Sequence, residues 1–301
     1  MRIIFLGTPE FAVPSLQILV ENGYEIVAVV TAPDKPAGRG NKVQMSEVKQ
    51  YALSQNLLTL QPEKLKSPEF LAQLQALQAD LQIVVAFRML PEVVWAMPPL
   101  GTFNLHASLL PKYRGAAPIN WAIINGEKET GITTFFLQHE IDTGNIIFQE
   151  KEAILHNDTA GDLYQRLMYK GAKLVLKTVQ AIDKGNVQTY PQIGDITHAP
   201  KIFRETCQID WSKSPAEIYN FVRGLAPYPA AWTVLAEKNC KIYEVSPNPI
   251  ILPSETSIGD FYTDGKILAF KAANGWIEVK NLQMEGKKRM NTTEFLKGFR
   301  V

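Results

Sequence analysis

The start of the chain constrains the fold more than any other stretch. Ile3-Ile4-Phe5-Leu6 is a short unbroken apolar run that stops at Gly7. Strands buried on both faces read this way, and they belong to parallel sheets covered by helices. Thr8 and Pro9 follow as N-cap and first helical residue, and the spacing predicts a helix to Asn22, ended by Gly23. Residues 26–30 form a second buried strand. Strand, helix and strand in such short order make a βαβ unit. The turn Gly7-Thr8-Pro9-Glu10-Phe11-Ala12 occupies the place of a dinucleotide-binding loop. It lacks the G-x-G-x-x-G pattern, and Pro9 removes an amide, so no nicotinamide cofactor is expected.

The pattern continues. Residues 46–56 and 67–79 read as helices, the second with Phe70, Leu71, Leu74 and Leu77 on one face. Residues 81–87 are the most apolar strand and belong in mid-sheet. Residues 101–106, 132–137 and 145–150 read as further strands, the last two joined near Asp142-Thr143-Gly144. A long amphipathic helix follows to Asp183, with Leu163, Leu167, Leu174 and Val175 inward and Gly185 after it. The expected fold over 1–184 is α/β, Rossmann-like, with a mostly parallel sheet. Residues 185–210 carry Pro191 and Pro200 and little periodicity, and read as a linker. Over 211–301, Ser214-Pro215-Ala216-Glu217 is a capping box, and short strands separated by turn residues read as a small β-barrel.

Composition narrows the function. A chain of 301 residues, 46% hydrophobic and 20% charged, can bury a large core. Its net charge of +1 offers no global attraction to nucleic acid. From Lys201 onward there are 14 basic against 11 acidic residues, a slight local tilt. Cys207 and Cys240 form neither a metal spacing nor a disulfide framework. No apolar run has the length of a membrane span, so a cytoplasmic protein is expected.

Phe103-Asn104-Leu105-His106 alternates apolar and polar. On a strand this puts the Asn104 amide and the His106 imidazole on one face, about 7 Å apart. A fixed donor beside a group that titrates near neutrality suits chemistry in which a carbonyl oxygen gains charge while a proton moves. It equally suits two hydrogen-bonded polar side chains at a strand end. Asp142 reads as a turn former. Residues 33–42 form a loop with Lys35, Arg39 and Lys42, and glycines flank Arg39. Lys287-Lys288-Arg289 follows Gly286 on a turn. Both clusters suit solvated surface or phosphate contacts. Arg88 suits a surface ion pair or a ligand contact. His139, His156 and His198 lack ligand spacing, and no metal is expected.

Asn104-x-His106-x-Ser108-Leu109-Leu110-Pro111, then Arg114-Gly115-Ala116-Ala117-Pro118-Ile119 and Ile141-Asp142-Thr143-Gly144, resembles the signature of the folate-dependent formyltransferases. The resemblance runs from Ile3 to the C-terminus. The Arg-Gly-Ala-Ala-Pro-Ile form is most similar to members that act on methionyl initiator tRNA. The resemblance implies formyl transfer from 10-formyltetrahydrofolate to an amine, for translation initiation, by a monomer without a metal. It implies that Asn104 donates to the oxyanion of a tetrahedral intermediate, that His106 moves the proton, and that Asp142 orients the imidazole. It implies folate contacts at Ser108, Leu109, Leu110 and Pro111, and at the turn with Arg88 and Met89. That turn is shorter here than in the common family pattern and lacks its Tyr-Gly pair. The resemblance further implies that the 33–42 loop enters the tRNA acceptor arm, with Arg39 foremost and Lys35 and Lys42 beside it. Lys287, Lys288 and Arg289 are the candidates in a C-terminal OB-like barrel. Rival readings are an amino-sugar N-formyltransferase, a hydrolase releasing formate, and a non-catalytic tRNA-binding protein. The last has no need of Asn104, His106 and Asp142 together.

Overall fold

Arg2–Gly7 and Glu25–Val30 are strands that pair in parallel, Ile3 opposite Ile26 and Leu6 opposite Val30. Ile3, Ile4, Phe5 and Leu6 are wholly buried, which is why the run shows no polar alternation. The structure, a computed structural model, describes residues 1–37, 42–248, 250–252 and 255–299. The chain forms two compact units, each woven from separate stretches. The first holds Met1–Gly115, Thr130–Glu152 and Tyr164–His198; the second holds Ala116–Glu129, Ala153–Leu163 and Ala199–Val301.

The first helix starts later than Thr8 and Pro9 suggest. Pro9 is extended, Glu10–Ala12 make one 3-10 turn, and the α-helix covers Val13–Glu21. Pro14 explains the delay. Proline has no N–H and is tolerated only in a helix's first turn, which a start at Pro9 would have denied it.

Seven strands form the sheet of the first unit, in the order Ile146–Ala153, Glu129–Phe136, Thr102–His106, Leu81–Val85, Arg2–Gly7, Glu25–Val30, Thr59–Leu60. The five from Thr102–His106 to Thr59–Leu60 are parallel, and Glu129–Phe136 runs antiparallel to Thr102–His106. Every residue of Leu81–Val85 is buried, as a mid-sheet strand requires. Helices Glu47–Ser54 and Pro68–Ala76 start at Ser46 and Ser67, whose hydroxyls accept from the N–H of Lys49 and Phe70. Phe70 and Leu74 then pack against Ile4, Leu6, Val30 and Val84. The long helix is Ala160–Asp183, with Leu163, Leu167, Leu174 and Val175 buried.

In the second unit, helix Pro215–Leu225 carries the full capping box between Ser214 and Glu217. The sheet beside it is antiparallel, in the order Ala231–Leu235, Lys238–Val245, Gly275–Met284, Leu268–Ala272, Phe261–Thr263, with Met290–Asn291 beside Gly275–Met284. Its described strands make a half-barrel. Ile218, Val222, Ile242, Phe270 and Leu282 fill its core, and Trp211 stacks on Phe270 at 4.4 Å. The stretch 185–210 is shared by the units, passing from one to the other after His198. Within the first unit, Tyr190 and Ile146 exchange backbone hydrogen bonds of 2.8 and 2.9 Å, so the chain after the long helix returns to the sheet edge.

Candidate active site

Strand Thr102–His106 sets the site. Asn104 lies between Val84 and Phe135, and His106 lies opposite Thr133. Alternation aims both side chains to one side. The parallel strands ending at Gly7, Val85 and His106 finish at the same edge of the sheet. Ligand crevices of open α/β sheets form at such carboxyl ends.

His106 is buried, and its Nε2 lies 2.8 Å from the Tyr113 carbonyl. A carbonyl only accepts, so the tautomer assigned from this partner is Nε2–H, and Nδ1 is bare in the neutral ring. Nδ1 faces Asp142 Oδ2 at 3.8 Å. That is too long for a hydrogen bond, as befits two atoms without a hydrogen between them. Protonation at Nδ1 turns the contact into an ion pair. The two side chains are only 7% and 10% exposed, so their charges interact at reduced dielectric. Asp142 sits at a hairpin tip with φ 56°, and its Oδ2 accepts from Gly115 N–H at 2.8 Å. Gly144 allows that tip to close: a Cβ there would lie 1.6 Å from the Phe136 carbonyl oxygen.

Asn104 differs from its neighbours. Its Oδ1 is buried and has no hydrogen-bond partner among the described residues. Such an atom costs about 1–3 kcal/mol. A bound molecule with a polar edge is the partner that fits it.

Ser108-Leu109-Leu110-Pro111 leaves the strand as a pinned loop. The buried Ser108 hydroxyl donates to the Lys112 carbonyl at 2.5 Å, and the Ser108 carbonyl accepts from Thr133 Oγ1 at 2.6 Å. Leu110 N–H donates to Thr133 Oγ1 at 3.2 Å, and its carbonyl accepts from Gln149 at 2.8 Å. Pro111 is buried and Leu109 half-buried. Arg88 and Met89 follow the mid-sheet strand. Arg88 donates to the carbonyls of Pro62 and Glu63, and its guanidinium lies 5.6 Å from the Phe87 ring. Burial lowers the guanidinium pKa from its ordinary value. Met89 is 74% exposed, and with Leu65, Lys66, Arg88 and Pro91 it lines a cavity of about 280 Å³.

Lys35 and Lys42 stand on a short antiparallel pair, Lys35–Ala37 and Lys42–Gln44. Arg39 lies outside the described residues. Asp34, before the first of these strands, is bonded by Lys49 and Gln61, and those bonds hold its carboxyl below the usual range. Lys287, Lys288 and Arg289 are exposed on a turn of the second unit. Arg289 lies 4.3 Å over the Tyr243 ring and donates to Asn281 at 2.6 Å.

Several residues around the site carry no sequence signal of their role. Tyr113 contributes its backbone carbonyl. Gln192 bonds the Asp142 and Gly144 carbonyls and the Arg114 side chain, from 50 residues beyond Asp142. It lies in the aperiodic stretch after the long helix, where spacing marks nothing. The described residues contain no group of three metal-ligating side chains, and none of their helices is long and apolar enough to cross a membrane.

The formyl transferase family model matches residues 1–179, and the formyl transferase C-terminal domain model matches residues 201–300. The methionyl-tRNA formyltransferase of Bacteroides fragilis is 54% identical, with 100% of this chain and 96% of that protein covered. Among solved structures, the sugar 3N-formyl transferase WlaRD, in the presence of dTDP and 5-N-formyl-THF, is 24% identical with a TM-score of 0.66, covering 96% of this chain and 99% of its own. HypX from Aquifex aeolicus, in complex with tetrahydrofolic acid, is 18% identical with a TM-score of 0.67. That match covers 99% of this chain and 48% of HypX, so the chain spans about half of HypX. At these identities the two structures speak for the fold alone.

Proposed function

The chain belongs to the formyl transferase family, and on that premise we propose that it transfers formyl from 10-formyltetrahydrofolate to the amino group of methionyl initiator tRNA. The likeness to the Bacteroides fragilis enzyme over the whole chain supports the tRNA substrate against an amino sugar. The same reading has the protein acting as a monomer in the cytoplasm, with the first unit catalytic and the second binding tRNA.

One observation carries the chemistry: the unpaired, buried Oδ1 of Asn104 on the strand face it shares with His106. When bound, the folate donor supplies the formyl carbon. The Asn104 amide then has a use for both ends. Its N–H donates to the formyl oxygen as that oxygen gains charge, worth about 3 kcal/mol of barrier. Its Oδ1 accepts from the N–H of the attacking amine, so the amide orients nucleophile and carbonyl together. His106 takes the proton released by the amine at Nδ1, the nitrogen that its Tyr113 contact leaves bare, and gives it to the folate nitrogen as that nitrogen's bond to the formyl carbon breaks and tetrahydrofolate leaves. Between the two transfers Asp142 faces an imidazolium at ion-pair range and stabilises it. Ser108 and Leu110 hold the loop in shape, while Leu109 and Met89 offer apolar surface to the donor.

The test is direct. Purified protein is given 10-formyl- or 5-formyltetrahydrofolate with, separately, methionyl initiator tRNA, methionyl elongator tRNA and amino sugars. Formyl-methionyl initiator tRNA from the 10-formyl donor is the expected product. Product on the sugar alone would overturn the reading.

A further inference from the structure

Residues 190–198 run over the first unit as an exposed strap, with Tyr190, Ile193 and Ile196 at 56%, 83% and 53% exposure. So little apolar burial leaves polar contacts to hold it. Two of its side chains are half-buried, Gln192 and Thr197. Both reach the backbone around the His106–Asp142 pair.

Gln192 is used at both ends of its amide. Its Oε1 accepts from Arg114 Nε at 3.1 Å and Nη2 at 2.6 Å. Its Nε2 donates to the carbonyls of Asp142 at 2.8 Å and Gly144 at 2.9 Å. A guanidinium only donates and a carbonyl only accepts, so the partners fix the amide's orientation. Thr197 works on the same segment: its Oγ1 accepts from Tyr113 N–H at 2.8 Å, and its carbonyl accepts from Arg114 N–H at 3.0 Å.

The strap therefore ties residues 113–115 to the hairpin tip at 142–144. These are the two segments that hold the pair. The Tyr113 carbonyl accepts from the imidazole Nε2–H, and the Gly115 N–H donates to the Asp142 carboxylate. Ile141 beside the tip is 61% exposed and gives it no apolar anchor. At 3.8 Å the carboxylate–imidazole contact is at the outer edge of ion-pair range, where a small shift removes it.

We propose that Gln192 is a positioning residue for His106 and Asp142: it sets the carboxylate's distance from the imidazole by fixing the tip's main chain against Arg114. The proposal deepens the formyl-transfer reading and rests on it.

Two variants test it. Gln192→Met keeps a side chain of similar length that can make none of these hydrogen bonds. Gln192→Glu keeps the acceptor for Arg114 and removes both N–H donors. Each should lower kcat by up to about 10²-fold, the cost of misplacing a reacting group by about 1 Å, with KM for both substrates held within about twofold. In an Asp142→Asn background, Gln192→Met should cost less than about threefold, because a residue acting through Asp142 has nothing further to lose. Crystal structures of the variants should show the Oδ2–Nδ1 separation widened past about 4 Å. Wild-type kcat in both variants overturns the proposal. So does full additivity with Asp142→Asn, a rise in KM matching the fall in kcat, or a pair left at its present separation. If the unaltered protein forms no formyl-methionyl-tRNA, the functional reading fails instead, and the variant structures alone decide whether Gln192 holds the pair.

Discussion

Asn104 is kept in a state that the fold alone does not reward. Its Oδ1 is buried and unpartnered, so that end of the amide adds nothing to the folded protein's hydrogen bonding. Asn104→Ala removes an unpaired acceptor. The thermal midpoint should hold or rise, while formyl transfer falls by about 10²–10³-fold, the loss seen when an oxyanion donor is removed. A midpoint that falls in step with activity would make Asn104 part of the scaffold. Ser108 should behave in the opposite way. Its hydroxyl is buried on the Lys112 carbonyl, so Ser108→Ala should cost about 1–2 kcal/mol of stability by denaturant titration. The KM for the folate donor should change less than about twofold; a larger rise would put the hydroxyl on the ligand instead. At this scale the alternation Phe103-Asn104-Leu105-His106 makes the shared strand face legible in advance. The tautomer of His106 is not, because it depends on the Tyr113 carbonyl, and a backbone oxygen in an irregular loop leaves no mark in composition.

The hairpin between Glu129–Phe136 and Ile146–Ala153 shows what one element demands of one residue. Its tip brings Asp142 to His106, and Gly144 sits where any Cβ would strike the Phe136 carbonyl. Gly144→Ala must push that backbone aside. Activity should fall at least as far as in Asp142→Asn, with a lower thermal midpoint, because the tip itself is rebuilt. An active Gly144→Ala enzyme with an unmoved midpoint would mean that the tip is free to adapt. The elements were legible where period and caps agree. Ser67 and Ser214 each cap a helix as their sequence contexts suggest, and Ser46 caps the helix expected to begin there. The misplaced first helix and the strap at 190–198 mark the limit. The first needed two prolines weighed against each other, and the second is held by side chain–backbone bonds that have no period.

Over the whole molecule, the weaving of the two units was the least legible feature. Residues 116–129 join the second unit through contacts far along the chain. Asn120 donates to the Gly224 carbonyl at 2.8 Å, and a Cβ on Gly224 would lie 2.6 Å from Ile124, so helices Pro118–Ile124 and Pro215–Leu225 meet at a residue chosen for its lack of a side chain. Charge is distributed in the same uneven way. A net charge of +1 gives a polyanion no long-range attraction, so RNA affinity has to come from local clusters. Lys287 and Lys288 form one on the exposed turn, while Arg289 beside them also packs on Tyr243. The two lysines can therefore be changed without disturbing that stack. Replacing both by alanine should raise the KM for methionyl initiator tRNA and lower the slope of log affinity against log salt by about 1 for each phosphate that the turn no longer neutralises. Saturating tRNA should restore kcat, and the thermal midpoint should not move. An unchanged KM and salt slope would remove this turn from the RNA interface and leave the binding to other basic groups, Lys35, Arg39 and Lys42 first among them.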